Sequence, residues 1–443
     1  MKRMRSRVPT WRWVVLSLAV VMVAAMTAMT AGIAEASGSG PRVAGPVRLT
    51  PRSEIALSAA PAGLQAAMAR TLGARAAGGR WSQRAELAAS DGAEGDFFGA
   101  TVAISGTTAV VGAPDKNSRT GAAYVFARSG KAWSEQAKLT ASDAAKADAF
   151  GVAVAISGNT VVVGASGKKS DTGAAYVFAR AGRTWSQRAE LTDPGRAKGD
   201  AFGNAVSVSR NTALVGAPGT NEFTGAAYVF VRTGKAWSQR AKLTASDGAK
   251  ENFFGNFRGV AIDGNTALIA APGISGGRTG AVYVFVRTGK AWSQRAKLTP
   301  PRHILATGFG GSVAISGKTA VVGAPNELLN RGAVYVFARS GKAWALQAEL
   351  VAPDRAASDL FGYDVGISGK TVVAGAPFKN SHTGKVYVFV RSGRTWSQQA
   401  ELTASAGASG DNFGLAVGIS GKTAVAGADG RNDFTGAAYV FVR

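Results

Sequence analysis

The 443-residue chain contains no cysteine, which excludes disulfides, thiolate metal sites and a thiol nucleophile. Hydrophobic residues make up 46% of the chain, which is enough to build a large buried core. The formal net charge of +24 favours anionic partners such as acidic polysaccharide, teichoic acid, a phospholipid surface or nucleic acid. The plainer alternative is that this charge serves solubility alone.

The first 36 residues predict a signal peptide. A basic start (residues 2–7) precedes an apolar run (13–29), and Ala34-Glu35-Ala36 supplies small residues before a cleavage point at Ser37. An uncleaved membrane anchor is the alternative, because the apolar run is long enough to cross a bilayer. Either way, we expect the remainder to be secreted or held at the cell surface. Residues 37–79 predict a linker that can include a short amphipathic helix near residues 64–72.

From residue 80 onward the chain is organised by a 52-residue repeat. Tryptophans and the phenylalanines of a Phe-Gly pair recur at that interval seven times, with one gap of 55 residues. Seven repeats of about 50 residues predict a propeller or a solenoid. The repeating residues are Trp81, Trp133, Trp185, Trp237, Trp292, Trp344 and Trp396, and Phe98, Phe150, Phe202, Phe254, Phe309, Phe361 and Phe413.

Each repeat predicts four short strands, and no stretch beyond residue 80 keeps a helical period. In the first repeat these strands are "GATVAIS", "TAVVGAP", "GAAYVFAR" and "AWSEQAKLT". The fourth strand alternates, which predicts Trp133, Glu135, Ala137 and Leu139 on one face and polar residues on the other. Such half-polar alternation is typical of the outermost strand of a blade.

The two ends of the repeat region distinguish a closed ring from an open solenoid. The last repeat stops after its third strand, whereas the segment 80–87 is a fourth strand with no preceding three. Joining them completes seven sheets. We therefore predict an all-β fold, a seven-bladed β-propeller of four-stranded blades over residues 80–443, closed by strand 80–87 in the last blade.

A second motif follows each Phe-Gly pair after about thirteen residues. It reads Gly-Ala-Pro at 112–114, 216–218, 323–325 and 375–377, with variants at 164–166, 270–272 and 427–429. The paired motifs resemble the FG-GAP repeat family, the propeller of integrin α-subunits and of many secreted bacterial proteins. The resemblance covers residues 80–443 and implies an extracellular propeller used for binding or adhesion.

The resemblance also raises the question of calcium, which many family members hold in an Asp-x-Asp-x-Asp-Gly loop between the first and second strands. Here that connection is "SGTT", "SGNT", "SRNT", "DGNT" or "SGKT", and Asp263 is its only carboxylate. One carboxylate is too few for such a cation. We therefore expect no cofactor and no calcium of the family type.

The tripeptide Gly317-Lys318-Thr319 has the form of the end of a phosphate-binding loop. Such a loop needs a glycine at position 312, which is serine, and it must open a helix, whereas an apolar strand follows here. We predict a hairpin turn between the first two strands of a blade.

An acidic residue stands two positions before the phenylalanine in five repeats. These carboxylates can form a ring that contacts cations or sugar hydroxyls, or each can accept a backbone N–H in its turn. Asn252 and Thr307 replace them in the other two repeats. Because both can accept the same hydrogen bond from a backbone N–H, this favours the role within the turn over the carboxylate ring. The five residues are Asp96, Asp148, Asp200, Asp359 and Asp411.

The turn between the third and fourth strands repeats a basic motif, such as "RSGKAW". Its charges would form a rim that binds polyanions by summed electrostatics. The alternative is a solvated turn whose charges prevent edge-to-edge pairing of the outer strands. The rim residues are Arg128, Lys131, Arg180, Arg183, Arg232, Lys235, Arg287, Lys290, Arg339, Lys342, Arg391 and Arg394.

Catalytic signatures are sparse. The two histidines, His303 and His382, lie in different repeats, and no Gly-x-Ser-x-Gly elbow is present. An extracellular polysaccharide-degrading enzyme with its site at a mouth of the central channel is the alternative function, since carboxylate pairs suffice for that chemistry. A structural envelope protein is a third.

The sequence favours a secreted or surface-displayed binding module whose partner is an extracellular macromolecule or cell-surface polyanion. Nucleic acid fits the charge but has no motif in support, and a membrane is expected only through an uncleaved N-terminal segment. We expect a monomer. The irregular interval 253–310 is where a unique site would differ from the repeats.

Overall fold

The computed structural model describes residues 79–272, 279–301 and 308–443. The predicted signal peptide (1–36) and all but the last residue of the predicted linker (37–79) lie outside these ranges, as do Thr307 and His303. The described chain forms seven four-stranded antiparallel sheets arranged in a ring, which confirms the predicted seven-bladed β-propeller.

Six blades run from their innermost to their outermost strand in chain order, and the seventh takes its outermost strand from the start of the ring. Blade 1 comprises β2 (Thr101–Ser105), β3 (Thr108–Ala113), β4 (Ala122–Ser129) and β5 (Ala132–Leu139). Blade 2 comprises β6 (Phe150–Ser157), β7 (Thr160–Ala165), β8 (Ala174–Ala181) and β9 (Thr184–Leu191). Blade 3 comprises β10 (Ala205–Ser209), β11 (Thr212–Ala217), β12 (Ala226–Thr233) and β13 (Ala236–Leu243). Blade 4 comprises β14 (Val260–Asp263), β15 (Thr266–Ala271), β16 (Ala281–Thr288) and β17 (Ala291–Leu298).

The remaining blades follow the same order. Blade 5 comprises β18 (Ser312–Ser316), β19 (Thr319–Ala324), β20 (Ala333–Ser340) and β21 (Ala343–Leu350). Blade 6 comprises β22 (Val365–Ser368), β23 (Thr371–Ala376), β24 (Lys385–Ser392) and β25 (Thr395–Leu402). Blade 7 comprises β26 (Val417–Ser420), β27 (Thr423–Ala428), β28 (Ala437–Val442) and, from the start of the ring, β1 (Ser82–Leu87).

The ring closes as the sequence predicts. Strand β1 pairs antiparallel with β28, from Ser82 opposite Val442 to Leu87 opposite Ala438. Phe98 then forms a bridge to Gly436, so the start of blade 1 is also fastened to blade 7. Both ends of the repeat region are thereby held in one sheet.

The predicted alternation of the outer strand is wrong. A β-bulge interrupts β5, because Val125 pairs with Ala137 while the next residue, Phe126, pairs with Glu135. The extra residue reverses which face the later side chains take. Trp133 consequently packs in the core between blades 7 and 1, whereas Leu139 packs in the core between blades 1 and 2. The same bulge recurs in the other outer strands.

The two repeated motifs meet at the seams between blades. A Cβ added to Gly164 would lie only 1.9 Å from the carbonyl oxygen of Gly203 in the next blade, so two backbones touch there without side chains. The motif phenylalanine is buried beside the equivalent contact at each seam: between blades 7 and 1, Phe98 packs against Tyr124 and Phe126, with ring centroids 5.5 and 6.0 Å away. At the seam between blades 4 and 5, Ala270 replaces the glycine.

The antiparallel order divides the connections between two faces of the disk. The face that carries the first-to-second and third-to-fourth strand turns is called the turn face. The opposite face carries the second-to-third and fourth-to-first connections and is called the strap face. On the turn face the predicted hairpin is confirmed, because Ser316 pairs with Thr319 and Gly317 has φ of 56°.

The second-to-third connections of six blades contain a four-residue strap turn. These turns are Lys116–Arg119, Lys168–Asp171, Thr220–Phe223, Glu327–Asn330, Lys379–His382 and Arg431–Phe434. They are left-handed rather than α-helical, as Asn117 and Ser118 show with φ of 52° and 58°. Left-handed backbone is unfavourable for L-residues. Contacts with the next blade offset this cost, such as the hydrogen bond from Ala149 N to Arg119 O at 2.7 Å.

We predict that Gly164→Ala lowers the free energy of unfolding by about 2–3 kcal/mol, because the new methyl group meets the backbone of the next blade. Gly418→Ala is the control, since its added Cβ would have no neighbour closer than 3.5 Å, and it should change stability by less than about 1 kcal/mol. Urea unfolding of both variants measures the difference. Equal effects would show that the seam is not sterically restricted.

Candidate functional site

The predicted basic rim lies on the turn face, and its paired residues differ in environment. The first residue of each pair is half-buried: Arg180 donates to the side-chain oxygen of Asn159 at 2.7 and 3.0 Å, and its guanidinium lies 5.6 Å from the ring centroid of Trp185. The second residue, such as Arg183, is exposed. The exposed members are therefore the ones that can reach a partner. They are Lys131, Arg183, Lys235, Lys290, Lys342 and Arg394.

The structure adds four exposed cations that sequence reasoning did not connect with the rim. They occupy the first-to-second strand turns, nearer the propeller axis on the same turn face: Arg210, Lys318, Lys370 and Lys422. The antiparallel order of four strands could have revealed this, because it places both sets of turns at one edge of each blade. Asp263 is the only carboxylate in these turns, and it accepts a hydrogen bond from Gly317 N at 2.7 Å.

Charge is consequently divided between the two faces. Most of the 27 Asp and Glu residues of the chain lie in the connections of the strap face, whereas the turns opposite carry cations almost exclusively. Six first-to-second turns and six third-to-fourth turns contribute to the same flat side without a single further carboxylate. The turns of the turn face are therefore predominantly basic.

The five aspartates that precede the phenylalanines lie buried on the strap face. Each accepts a hydrogen bond from the backbone N–H three residues earlier, with lengths between 2.6 and 2.9 Å. Four of them also contact a strap-turn cation: Asp96 with Lys116 at 2.7 Å, Asp148 with Lys168 at 3.4 Å, Asp359 with Lys379 at 2.9 Å, and Asp411 with Arg431 at 3.5 Å. Asp200 has no such cation partner among the described residues. In this geometry the carboxylates tie two connections of the same blade together.

The channel along the propeller axis contains a cavity of about 130 Å³, lined by the first strand of every blade or by the residues just before it. Arg258 reaches into it from the segment before β14, with φ of 58°. Its Nε lies 3.7 Å from an oxygen of Asp364 in blade 6, and its Nη2 donates to the carbonyl of Ala100 at 3.4 Å. The guanidinium stacks on Tyr363, 4.8 Å from the ring centroid.

Arg258 belongs to the predicted irregular interval 253–310, and no other blade has an arginine there. Two buried carboxyl groups that interact electrostatically with Arg258 have raised pKa values. Burial raises the pKa of Asp364 to about 6, against the opposing effect of Arg258. Burial likewise raises the pKa of Asp429 to about 6, although Asn412 donates to its carboxylate at 3.1 Å. At this end of the channel, charged groups thus break the sevenfold repetition.

Seven segments of the chain match the FG-GAP repeat: residues 81–126, 133–178, 185–230, 237–285, 292–337, 344–389 and 396–441. The chain belongs to the FG-GAP repeat family. No curated protein matches it. The matched segments include the Phe-Gly and Gly-Ala-Pro positions that form the seams, so the family motif corresponds to the contact between blades.

Among the residues that the structure describes, this FG-GAP propeller has no cluster of three or more His, Asp or Glu side chains arranged for a metal. His382 stacks on Phe378 with ring centroids 4.4 Å apart in the strap turn of blade 6. Within the same described ranges, no helix is long and apolar enough to cross a membrane.

We predict that Asp429→Asn changes the pH dependence of stability. The folded pKa of about 6 exceeds the unfolded value of about 3.9, so the folded chain binds more protons between these values. The contribution of Asp429 is therefore most favourable below about pH 4 and is lost as the pH rises through 6.

Relative to the wild type, the Asp429→Asn variant should gain about 2 kcal/mol in the free energy of unfolding between pH 4 and pH 7. Urea unfolding at both pH values measures this gain, with Asp433→Asn as an exposed control in the same connection. A constant difference between variant and wild type across the range would contradict the raised pKa.

Proposed function

We propose that the turn face of this FG-GAP propeller binds an acidic polysaccharide or a similar cell-surface polyanion outside the cytoplasm. The observation that carries the proposal is the segregation of charge. Exposed Lys and Arg side chains from both sets of turns share one side of the disk, with Asp263 as the only carboxylate among them.

The geometry suits a long anionic chain better than a small ligand. The exposed cations of the outer ring recur once in each of blades 1 to 6, and Lys318, Lys370 and Lys422 lie closer to the axis in three consecutive blades. A flexible polyanion that crosses the face can contact several of them together, and each contact releases condensed counterions. Both faces carry Lys and Arg side chains, but only the strap face also carries most of the carboxylates, and solubility alone would not require carboxylates to be kept out of the turn face.

The half-buried arginines have a different role in this proposal. Arg180, Arg232 and Arg287 each donate to an asparagine side chain in the neighbouring hairpin turn of their own blade. These bonds hold the two turns of a blade together and keep the exposed cations at fixed spacing. Affinity should therefore depend on the exposed lysines and arginines, and stability on the half-buried arginines.

An extracellular location completes the proposal. The resemblance of residues 1–36 to a signal peptide supports export, and FG-GAP propellers are commonly extracellular. An exported chain that begins at Ser37 by N-terminal sequencing would support cleavage, and one that retains residues 1–36 would favour the anchor.

The test compares two triple variants with the same change in net charge. Lys131, Lys235 and Lys342 are replaced by Gln on the turn face, and Lys146, Lys169 and Lys198 are replaced by Gln on the strap face. Binding to fluorescent heparin, to polygalacturonate and to single-stranded DNA is measured from 0.05 to 0.3 M NaCl. We expect the turn-face variant to bind the polysaccharides about tenfold more weakly, with a shallower salt dependence, because about three counterions fewer are released.

The strap-face variant should bind within about twofold of the wild type. Equal weakening in both variants would show that only net charge matters, and no binding to either polysaccharide would overturn the proposal. Binding to DNA alone would reassign the turn face to nucleic acid.

A further inference from the structure

Blade 4 enters the axial channel through a longer segment than the other blades. Four residues separate Gly255 from Val260, whereas two residues stand at the equivalent place in every other blade. The longer segment includes Arg258, whose φ is 58° and whose carbonyl oxygen accepts a hydrogen bond from Val313 N at 3.1 Å. Left-handed backbone is unfavourable for an arginine, so the structure holds this residue in place at a cost.

The guanidinium group of Arg258 stacks on two aromatic rings. Its central carbon lies 4.0 Å from the ring centroid of Phe257 and 4.8 Å from that of Tyr363, and the side chain is only 10% exposed. Such stacking restricts the plane of the guanidinium and therefore orients its N–H groups before any ligand is bound.

Most of the hydrogen-bonding capacity of this guanidinium is unused within the part of the chain that the structure describes. An arginine has five N–H donors, and here one of them donates, to the carbonyl of Ala100 at 3.4 Å. Asp364 does not supply the missing acceptor, because its nearest oxygen lies 3.7 Å from Nε, beyond hydrogen-bond distance. Its two oxygens instead accept from Val365 N at 3.0 Å and from Val417 N at 2.7 Å. A buried guanidinium with four unused donors points to a ligand that carries acceptor atoms.

The cavity beside Arg258 is otherwise apolar. Its walls are formed by valines and alanines of the first strands and by Phe257. Besides Arg258 and Asp364, Thr101 is the only polar residue among the described lining residues, and its hydroxyl already donates to the carbonyl of Gly151 at 2.8 Å. The volume of about 130 Å³ is close to the roughly 150 Å³ of an apolar cavity that holds benzene. Apolar walls with one charged donor suit an acid that has a short hydrocarbon tail.

We propose that this cavity binds a small monocarboxylic acid. The carboxylate would accept two parallel hydrogen bonds from Arg258, the arrangement for which a planar guanidinium is suited. The hydrocarbon tail would lie between the valines of the first strands, where it removes apolar surface from water. Because Arg258 precedes β14, the site lies at the strap-face end of the channel, apart from the exposed cations of the turn face.

The charges around Arg258 make this binding depend on pH. Asp364 of blade 6 and Asp429 of blade 7 interact electrostatically with Arg258, and burial raises the pKa of each to about 6. Tyr363 faces the guanidinium with its ring, and no further titratable group is found among the described residues that line the cavity. Above pH 6 the two carboxylates are ionised and repel an anionic ligand, whereas below pH 6 they are protonated and neutral. The acid should therefore bind more tightly as the pH falls through 6.

The test uses butyrate as the probe and butyramide as its neutral control, in ligand-observed NMR titrations at constant ionic strength. We expect butyrate to bind with a millimolar Kd at pH 5.5 and about tenfold more weakly at pH 7.5, and butyramide not to bind. Arg258→Lys keeps the charge but loses the planar pair of donors, so butyrate should bind at least about fivefold more weakly. Arg210→Lys is the matched control, because Arg210 also has left-handed backbone, with φ of 55°, but is exposed on the turn face. It should bind butyrate as the wild type does.

A second variant, Asp364→Asn, removes a competing charge and should bind butyrate more tightly than the wild type at pH 7.5. A wild type that does not bind butyrate at pH 5.5, equal binding of butyramide, or undiminished binding by Arg258→Lys would each overturn the proposal. Displacement of butyrate by heparin would assign the acid to the turn-face cations and would overturn it too. Because butyrate binding involves no polyanion, its failure is separate from failure of the proposed function.

Discussion

Close backbone contact between neighbouring blades is the constraint on which this structure depends. At Gly112, Gly164, Gly216, Gly323 and their equivalents, an added Cβ would lie about 2 Å from a carbonyl oxygen of the next blade. Only glycine permits that distance. The contact fixes the spacing of neighbouring blades near the axis at six of the seven seams, and at the seam between blades 4 and 5 the small residue Ala270 takes the place of the glycine.

Other features follow from that spacing. The aromatic residues fill the wedge that opens outward from the glycine contact, with Phe98, Tyr124 and Phe126 as one example among seven equivalent clusters. The bulge in each outer strand then lets one strand contribute side chains to two seams. The strap turns join consecutive blades through left-handed backbone, and buried ion pairs hold those turns. The two-residue turns opposite have no such packing task, so they are free to carry exposed charge.

Much of this architecture could be predicted from the sequence. The spacing of the tryptophans predicted the number of blades, and the incomplete last repeat predicted the closing strand. The Ser316–Thr319 turn was predicted because position 312 lacks the glycine of a phosphate-binding loop and because a strand, not a helix, follows. The face assignment of Leu139 failed because alternation assumes an unbroken strand, and a bulge leaves no simple signature in the sequence. Three inserted residues identified the interval around Arg258 as irregular, but nothing in the sequence indicated that the arginine would enter the channel.

The sites were harder to predict than the fold, because they depend on partners from distant segments. The sequence showed Asp96 and Lys116 separately but gave no reason to place them in contact across a connection.

The central functional claim is that one face of the disk contacts an anionic chain. Hydrogen–deuterium exchange with and without heparin tests it most directly, since the two faces contain different peptides. The account predicts slower exchange in turns such as 128–132 and 316–319, with the strap turns unchanged. Protection in the strap turns, with no change at 128–132 or 316–319, would contradict it.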